Sequence, residues 1–245
     1  MKRIFLTWLL IAACILGYSQ IKYLEIPKND TLQRVNYEYF ELGYSENHEQ
    51  PGWVAYTLSQ KDTVINYDKR KSFKEDKNIT TRTANNSDYK STGYDRGHLV
   101  PAADMRYAFG AYTSTFLYSN CSPQVPAFNR GQWRVLELWT RNLLKTYKNI
   151  YIVTGPILTD DMPFLGINKV SIPDFFYKVI VMFDGEKYSS IAFFMPNRKN
   201  ESEAKFFIVS VDFVEAVTGM DFFSKLPDKI ENEIESKLNP NEFKR

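Results

Sequence analysis

Residues 95–98, Asp95-Arg96-Gly97-His98, place an acid, a guanidinium and an imidazole side by side. The planar guanidinium of Arg96 can bind two phosphate oxygens at once, and the imidazole of His98 can accept a proton near neutral pH. His98 is one of only two histidines in the chain. The segment is therefore a candidate for general-base chemistry at a phosphate, although a surface turn with an incidental histidine has the same spacing.

A second group of polar residues follows at Asn120, Asn129 and Glu137. Asn129 stands at the start of a helix that we predict over residues 131–147, and Glu137 comes about two turns later on the same side. Amide and carboxylate oxygens without a cluster of His or Cys suit a hard cation such as Mg²⁺. Taken singly, Asn129 could equally be a helix N-cap and Glu137 an exposed carboxylate, so both interpretations stay open at this point.

The composition restricts the classes of protein to which these clusters can belong. The chain has 245 residues, of which 44% are hydrophobic and 24% charged, enough to fold as one sizeable domain. Two cysteines and two histidines exclude disulfide-rich scaffolds, zinc ribbons and HExxH metalloproteases. Residues 66–106 contain nine Lys or Arg against six acids. This basic stretch favours a polyanionic substrate only mildly, because a solvated loop gives the same count.

The N-terminus has the pattern of a secretory signal peptide, predicted at residues 1–19 ahead of a domain at 20–245. Basic Lys2 and Arg3 precede an uncharged, mostly apolar run from Ile4 to Gly17, which is shorter than the ~20 residues of a stable membrane span. We therefore expect export to the periplasm or the extracellular space, and no membrane span. Lipid anchoring at Cys14, which follows two alanines, is a less favoured alternative.

Cys121 would be the remaining cysteine of the exported chain, since the cut removes Cys14. A lone cysteine cannot form an internal disulfide. We interpret Cys121 as a small semi-buried residue rather than as a thiol nucleophile acting with His98.

Hydrophobic periodicity and turn residues predict a single α+β domain. Strand-forming residues favour strands at 37–42 and 53–58, a strand at 150–153, and a hairpin of 175–183 with 188–195. Apolar spacings of three and four indicate helices at 131–147, 211–217 and 228–238. The polar stretch 61–93 is predicted to be a long loop, and such loops often carry function.

The segment from Tyr94 to Ala103, YDRGHLVPAA, resembles the signature of the DNA/RNA non-specific endonucleases. This family includes secreted bacterial sugar-non-specific nucleases and endonuclease G. Further matches follow in the same order within residues 37–215: Asp88-Tyr89, Asn120 with Pro123-Gln124, Asn129 with Trp133 and Glu137, Thr154-Gly155-Pro156, Ile172-Pro173 with Phe176-Tyr177-Lys178, and Met195-Pro196-Asn197. So many ordered matches make a coincidental DRGH segment a poor explanation.

The resemblance implies the ββα-metal (His-Me finger) nuclease fold, with a mixed or antiparallel sheet and flanking helices. By this resemblance His98 is the general base, and Asp95 orients the cluster. Asn129 is the direct protein ligand of Mg²⁺, with Mn²⁺ as an alternative, and Glu137 binds the ion through water.

The resemblance also implies basic and amide contacts with the substrate. Arg96 and Asn120 contact phosphate or steady the site. An arginine upstream of the signature also acts on the substrate, and Arg70 is the best candidate. Lys71 could take that place instead, but a lysine cannot make the bidentate contact.

The expected function is hydrolysis of phosphodiester bonds in DNA and RNA with little sequence preference. The sequence has no zinc finger, recognition helix or RNA-binding sheet motif, and contacts to phosphates carry no sequence information. Two alternatives stay open: a silent nuclease-fold protein that binds nucleic acid, and a phosphodiesterase for a small substrate. The sequence does not decide whether the protein forms a homodimer or meets an inhibitor.

Overall fold

A computed structural model of the chain describes residues 23–28 and 31–243. The predicted signal peptide at residues 1–19, including Cys14, lies outside the described residues. The described chain is built on a seven-stranded sheet in which every neighbouring pair is antiparallel. Its strands, in sheet order, are β1 Gln33–Asn36, β2 Glu41–Ser45, β3 Gln50–Ser59, β6 Asn149–Pro156, β9 Phe175–Phe183, β10 Tyr188–Pro196 and β11 Ile208–Val209.

Both faces of this sheet are buried, which explains the continuous apolar runs in its central strands. Along β6, Ile150 and Ile152 face one core, whereas Tyr151 and Val153 face the other. The first core packs under the segment that carries the DRGH motif. Two helices, α5 Val211–Thr218 and α6 Asp228–Glu235, cover the second.

The DRGH motif forms a short strand, β4 Asp95–His98, which pairs antiparallel with β5 Cys121–Gln124. A helical segment follows immediately: α3 Pro126–Phe128, a π-helical turn at Asn129–Trp133 and α4 Arg134–Asn142. This strand–strand–helix unit, which we call the finger, is the ββα arrangement that the resemblance implies. The amide of Asn197 holds it against the sheet by bonding Val125, Pro123 and Pro173.

Gly97 allows the two finger strands to pack closely. A Cβ at this position would lie 2.2 Å from side-chain atoms of Gln124, which is buried. The glycine of the motif is therefore required by close approach and not by an unusual backbone angle.

The helix predicted at residues 131–147 begins earlier than expected. It starts at Pro126 and contains a π turn with non-helical backbone angles at Gly131. Its last regular residue is Asn142, followed by a 3₁₀ turn at Leu143–Lys145. Asn129 consequently lies inside the helical segment, and the interpretation of this residue as an N-cap is wrong.

The strand predicted at residues 37–42 is also misplaced. Tyr37 to Phe40 form a turn in which the N–H of Tyr37 donates to the Phe40 carbonyl at 2.9 Å, and β2 begins at Glu41. The two rings stack with centroids 4.7 Å apart and are buried. Their aromatic character reflects packing of the turn, which a strand propensity cannot distinguish from pairing.

The other predicted elements agree with the structure to within a few residues. The remaining short elements are α1 Asn86–Tyr89, α2 Phe109–Ser114, β7 Phe164–Leu165 and β8 Val170–Ser171. Residues 61–93 are largely irregular, as expected for a long loop. Within residues 23–28 and 31–243, every helix is too short or too polar to cross a membrane.

Candidate active site

His98 lies at the end of β4, where its ring packs against two aromatic side chains. Its ring centroid is 4.8 Å from that of Phe73 and 5.1 Å from that of Phe116. Burial lowers the pKa of His98 to about 4, and the positive charge of Arg70 adds to this effect. The Nε2 atom is buried without a hydrogen-bond partner in the described part of the chain. His98 is therefore neutral at pH 7, with a ring nitrogen that no protein group occupies.

Asp95, at the start of β4, binds two side chains of the helical segment at the other end of the motif. Its carboxylate accepts a hydrogen bond from Nδ2 of Asn129 at 2.9 Å and two from the guanidinium of Arg130 at 2.5 and 2.8 Å. Burial opposes ionisation of Asp95, but these hydrogen bonds and the charges of Arg130 and Arg70 outweigh it and lower the pKa. Asp95 is thus an ionised anchor for the side chain of Asn129.

Arg70 and Lys71, the two candidates for the upstream basic position, lie in different surroundings. The charge of Arg70 lowers the pKa of both His98 and Asp95. Nζ of Lys71 instead lies 5.7 Å from the ring centroid of Phe109. Of the two basic residues, Arg70 is the one whose charge acts on both ends of the DRGH strand.

Arg96 is held by side chains from two other segments. Its Nε donates to the hydroxyl of Tyr118 at 3.1 Å, its Nη2 donates to Oδ1 of Asn86, and its guanidinium lies over the ring of Tyr89. These contacts fix the plane of the guanidinium. Nη1 has no hydrogen-bond partner among the described residues, so one edge of the group remains available to an anion.

Glu137 lies on α4 beside a buried lysine. Burial raises its pKa, and the charge of Lys178 is the main influence that opposes this rise. Lys178 is fully buried in β9, with Nζ 5.1 Å from the ring centroid of Trp133. Arg141, one turn beyond Glu137, bonds the buried carboxylate of Asp104 at 2.6 Å. The charges of Lys178 and Arg141 thus favour the ionised form of Glu137, whereas burial and the charge of Asp104 disfavour it.

Of the two roles expected for Asn120, the structure agrees with steadying the site and not with a phosphate contact. Asn120 is fully buried. Its Oδ1 accepts from the N–H of Val100, and its Nδ2 donates to the carbonyls of Val100 and Thr115. Because both N–H groups are used, Asn120 fixes the backbone after the DRGH strand and has no donor left for a phosphate.

Cys121 is buried beside Tyr89, and burial raises the pKa of its thiol to about 12. A thiol in this state is not a nucleophile at neutral pH. Cys121 is thus a small packing residue, as expected, but it is more deeply buried than the sequence analysis predicts.

The residues around Asn129 fit a hard divalent cation. The hydrogen bond from Nδ2 to Asp95 fixes which end of the amide is the donor, and Oδ1 has no hydrogen-bond partner among the described residues. An oriented amide oxygen with a carboxylate on the same helical segment is a donor set for Mg²⁺ or Mn²⁺ rather than for Zn²⁺. In the described chain, no His or Cys joins a cluster that could bind a softer ion.

Three charged residues at the site were given no role on the basis of the sequence: Arg130, Arg141 and Lys178. The importance of Lys178 was detectable, because it is the one charged residue in the apolar run from Phe175 to Phe183, where an unpaired lysine is costly. Arg141 had a weaker signal, four residues after Glu137 on a helix. Nothing in the sequence indicated that Arg130 would pair with Asp95.

Comparison with known proteins identifies, over most of the chain, the same family that the sequence resembles. The family model for the DNA/RNA non-specific endonucleases matches residues 17–229. A nuclease from Nostoc sp. is 32% identical over 212 residues, covering 82% of this chain and 76% of that protein. Human mitochondrial endonuclease G is 31% identical over 200 residues, covering 76% of this chain and 67% of that protein.

A solved structure supports the fold as well. The crystal structure of the EndoG/EndoGI complex, which concerns the mechanism of EndoG inhibition, contains a chain with 34% sequence identity and a TM-score of 0.75. The similarity covers 80% of this chain and 88% of that chain. Together with the finger described above, it confirms the ββα-metal nuclease fold.

Proposed function

Since this chain belongs to the DNA/RNA non-specific endonuclease family, we propose that it is an exported, Mg²⁺-dependent nuclease that cleaves both DNA and RNA. The protein is an endonuclease that hydrolyses phosphodiester bonds, as the family and its nuclease relatives do. The observation that carries the finer proposal is the hydrogen bond from Asn129 to Asp95. It leaves the amide oxygen of Asn129 for a cation, next to the strand that begins at Asp95 and ends at His98.

His98 acts as the general base in this proposal. Its neutral ring can take a proton from the attacking water, a contribution worth roughly 10²–10⁴ in rate. A pKa of about 4 makes a weak base, but an incoming phosphodiester brings negative charge that opposes the effect of Arg70. Substrate binding therefore raises the basicity of His98 at the moment when it is needed.

Asn129 would hold the cation directly, and Glu137 would hold it through water. The bound ion supplies positive charge that stabilises the negative charge developing on the phosphate and on the leaving oxygen. A neutral amide ligand leaves more of that positive charge for the phosphate than a carboxylate would. The charges of Lys178 and Arg141 favour the ionised form of Glu137.

Arg96 and Arg70 bind and orient the phosphate. Arg96 presents a guanidinium whose plane is already fixed by Tyr118 and Asn86, so little side-chain freedom is lost on binding. These residues and the cation contact the backbone of the nucleic acid, which has the same charge in every sequence. We therefore expect little sequence preference. Membership of the family implies products with 5′-phosphate ends. Export is a further part of the proposal.

Digestion of two polymers tests the proposed function. Supercoiled plasmid DNA and a single-stranded RNA are incubated with purified protein in Mg²⁺, in Mn²⁺ and in EDTA. We expect both polymers to be cut in either metal and neither to be cut in EDTA. Retention of DNA without cleavage would support a silent binding protein. Hydrolysis of bis-p-nitrophenyl phosphate alone would support a small-substrate phosphodiesterase.

A further inference from the structure

Three carboxylates meet between the two helices that cover the second core, far from the finger side of the sheet. Asp212 and Glu215 lie on α5, and Glu235 lies at the end of α6. One side-chain oxygen from each of the three lies within 4.8 Å of the others. Val214 and Ile234 from the same helices pack in the second core, whereas the finger packs on the first. The cluster is thus separate from the candidate active site.

Glu235 is the unusual member of this cluster because it is buried and lacks a polar partner. Its residue is 5% exposed, and Oε1 has no hydrogen-bond partner in the described part of the chain. A buried polar atom without a partner is rare in folded proteins and calls for an explanation such as an ion or a water molecule. Glu215 is already oriented, since its Oε1 accepts from the N–H of Phe222 at 2.8 Å.

The charges that act most strongly on Glu235 are all negative. They belong to Glu215, Glu231, Asp212 and Asp221, and each disfavours its ionisation. The lysines of the same region act elsewhere. Lys237 pairs with the exposed Glu233 at 2.9 Å, and Lys229 also acts on Glu233.

Such a group of acids can be neutralised in two ways, by a proton on Glu235 or by a bound cation. A proton on Glu235 removes one negative charge but brings no further group into contact with the buried Oε1. A divalent cation offsets two charges and uses the oxygens of all three side chains. Carboxylates are the preferred ligands of Ca²⁺, which binds oxygen at about 2.3–2.6 Å with flexible geometry. Two oxygens bound to one Ca²⁺ therefore lie at most about 5 Å apart. The three oxygens of the cluster satisfy this limit, since they all lie within 4.8 Å of one another.

We propose that Asp212, Glu215 and Glu235 bind a Ca²⁺ ion that ties α5 to α6. Mg²⁺ is a poorer match, because it requires shorter, nearly octahedral bonds and retains its water molecules. The ion stabilises the helical face of the sheet and takes no part in phosphodiester hydrolysis. Its loss should lower thermal stability while nuclease activity in Mg²⁺ at room temperature stays the same.

Thermal unfolding of the full chain tests this site. The protein is stripped with a chelator, and the melting temperature is measured with Ca²⁺ and with Mg²⁺ in the Asn129→Ala background, which removes the proposed active-site ligand. We expect Ca²⁺ at about a hundred times its dissociation constant to raise the melting temperature by roughly 5–10 °C. Mg²⁺ at the same concentration should raise it less. Calorimetric titration should give one Ca²⁺ per chain.

Two glutamate variants on the same helix give the matched comparison. In Glu235→Gln the rise with Ca²⁺ should disappear, while the chelated protein should melt no lower than its parent because the variant removes a buried acid of the same shape. In Glu233→Gln, which alters an exposed pair, the rise should persist. The proposal is overturned if Ca²⁺ leaves the melting temperature unchanged, the result expected when Glu235 merely carries a proton. It is also overturned if Glu235→Gln keeps the full rise.

Discussion

Lys178 is the residue whose charge most favours ionisation of Glu137. Lys178→Met removes the buried charge that favours ionisation of Glu137, so the pKa of Glu137 rises further. A carboxylate that must be ionised to hold the cation then loses its charge at higher pH. We expect activity at pH 7 to fall by about 10–100-fold and the acid side of the pH–rate profile to move to higher pH.

The control for this prediction is Lys187→Met, which changes an exposed lysine at the other end of the same hairpin. It should retain the profile of the parent. Because substitution of a buried residue can change stability, the fold of Lys178→Met is checked by its melting curve. A folded variant with an unchanged pH profile would show that the charge of Lys178 does not favour ionisation of Glu137.

The charge of Arg70 gives a second prediction at the residue scale. Arg70→Gln removes a positive charge that lowers the pKa of His98 below the level set by burial. The base is then protonated over a wider acidic range, so the acid limb of kcat/KM moves to higher pH. Lys71→Gln should leave the limb in place, because Lys71 lies against Phe109. Equal shifts in the two variants would contradict the assignment of Arg70 to the upstream basic position.

The sequence was sufficient to predict the residues of the DRGH strand, because they are contiguous and their chemistry is visible in their types. Residues that join the site from other segments were harder to predict. Lys178 comes from β9, and its proximity to Glu137 depends on how the sheet packs under the finger. Asn120 was recognised as a candidate, but its burial was not predicted. The residue type alone does not indicate whether an asparagine side chain binds phosphate or backbone.

At the scale of elements, the finger depends on the close approach of its two strands. Gly97→Ala places a Cβ 2.2 Å from the buried side chain of Gln124. Overpacking of this kind costs about 1–3 kcal/mol, so we expect the melting temperature to fall by roughly 3–10 °C and activity to fall with it. Adding Gln124→Ala removes the clashing atoms and should restore part of the lost stability. A single variant as stable as its parent would contradict this account of the glycine.

The helical segment of the finger shows where periodicity fails as a guide. Apolar spacing placed a helix at residues 131–147, but it could not indicate the start at Pro126 or the π turn at Asn129–Trp133. A π turn inserts a residue into the regular repeat, and such turns often occur at functional sites. Here it carries Asn129, whose side chain reaches Asp95.

At the scale of the whole molecule, binding through phosphates makes activity depend on salt. Arg70 and Arg96 displace counterions from the nucleic acid, as do any other basic residues that contact its backbone. We expect kcat/KM for plasmid DNA to fall at least about tenfold between ~50 and ~200 mM NaCl, mainly through KM. The measurement is made at constant Mg²⁺. An activity that stays flat over this range would contradict phosphate-led binding.

In the proposed mechanism, His98 and the cation held by Asn129 act on the same phosphodiester bond. The most direct measurement is plasmid cleavage in Mg²⁺ by His98→Ala beside the parent protein, with DNA binding by both measured in EDTA. We predict equal binding and equal melting temperatures, with less than about one per cent of the parent's cleavage rate in the variant. A folded His98→Ala variant that binds DNA and cleaves it at more than that rate would contradict the account.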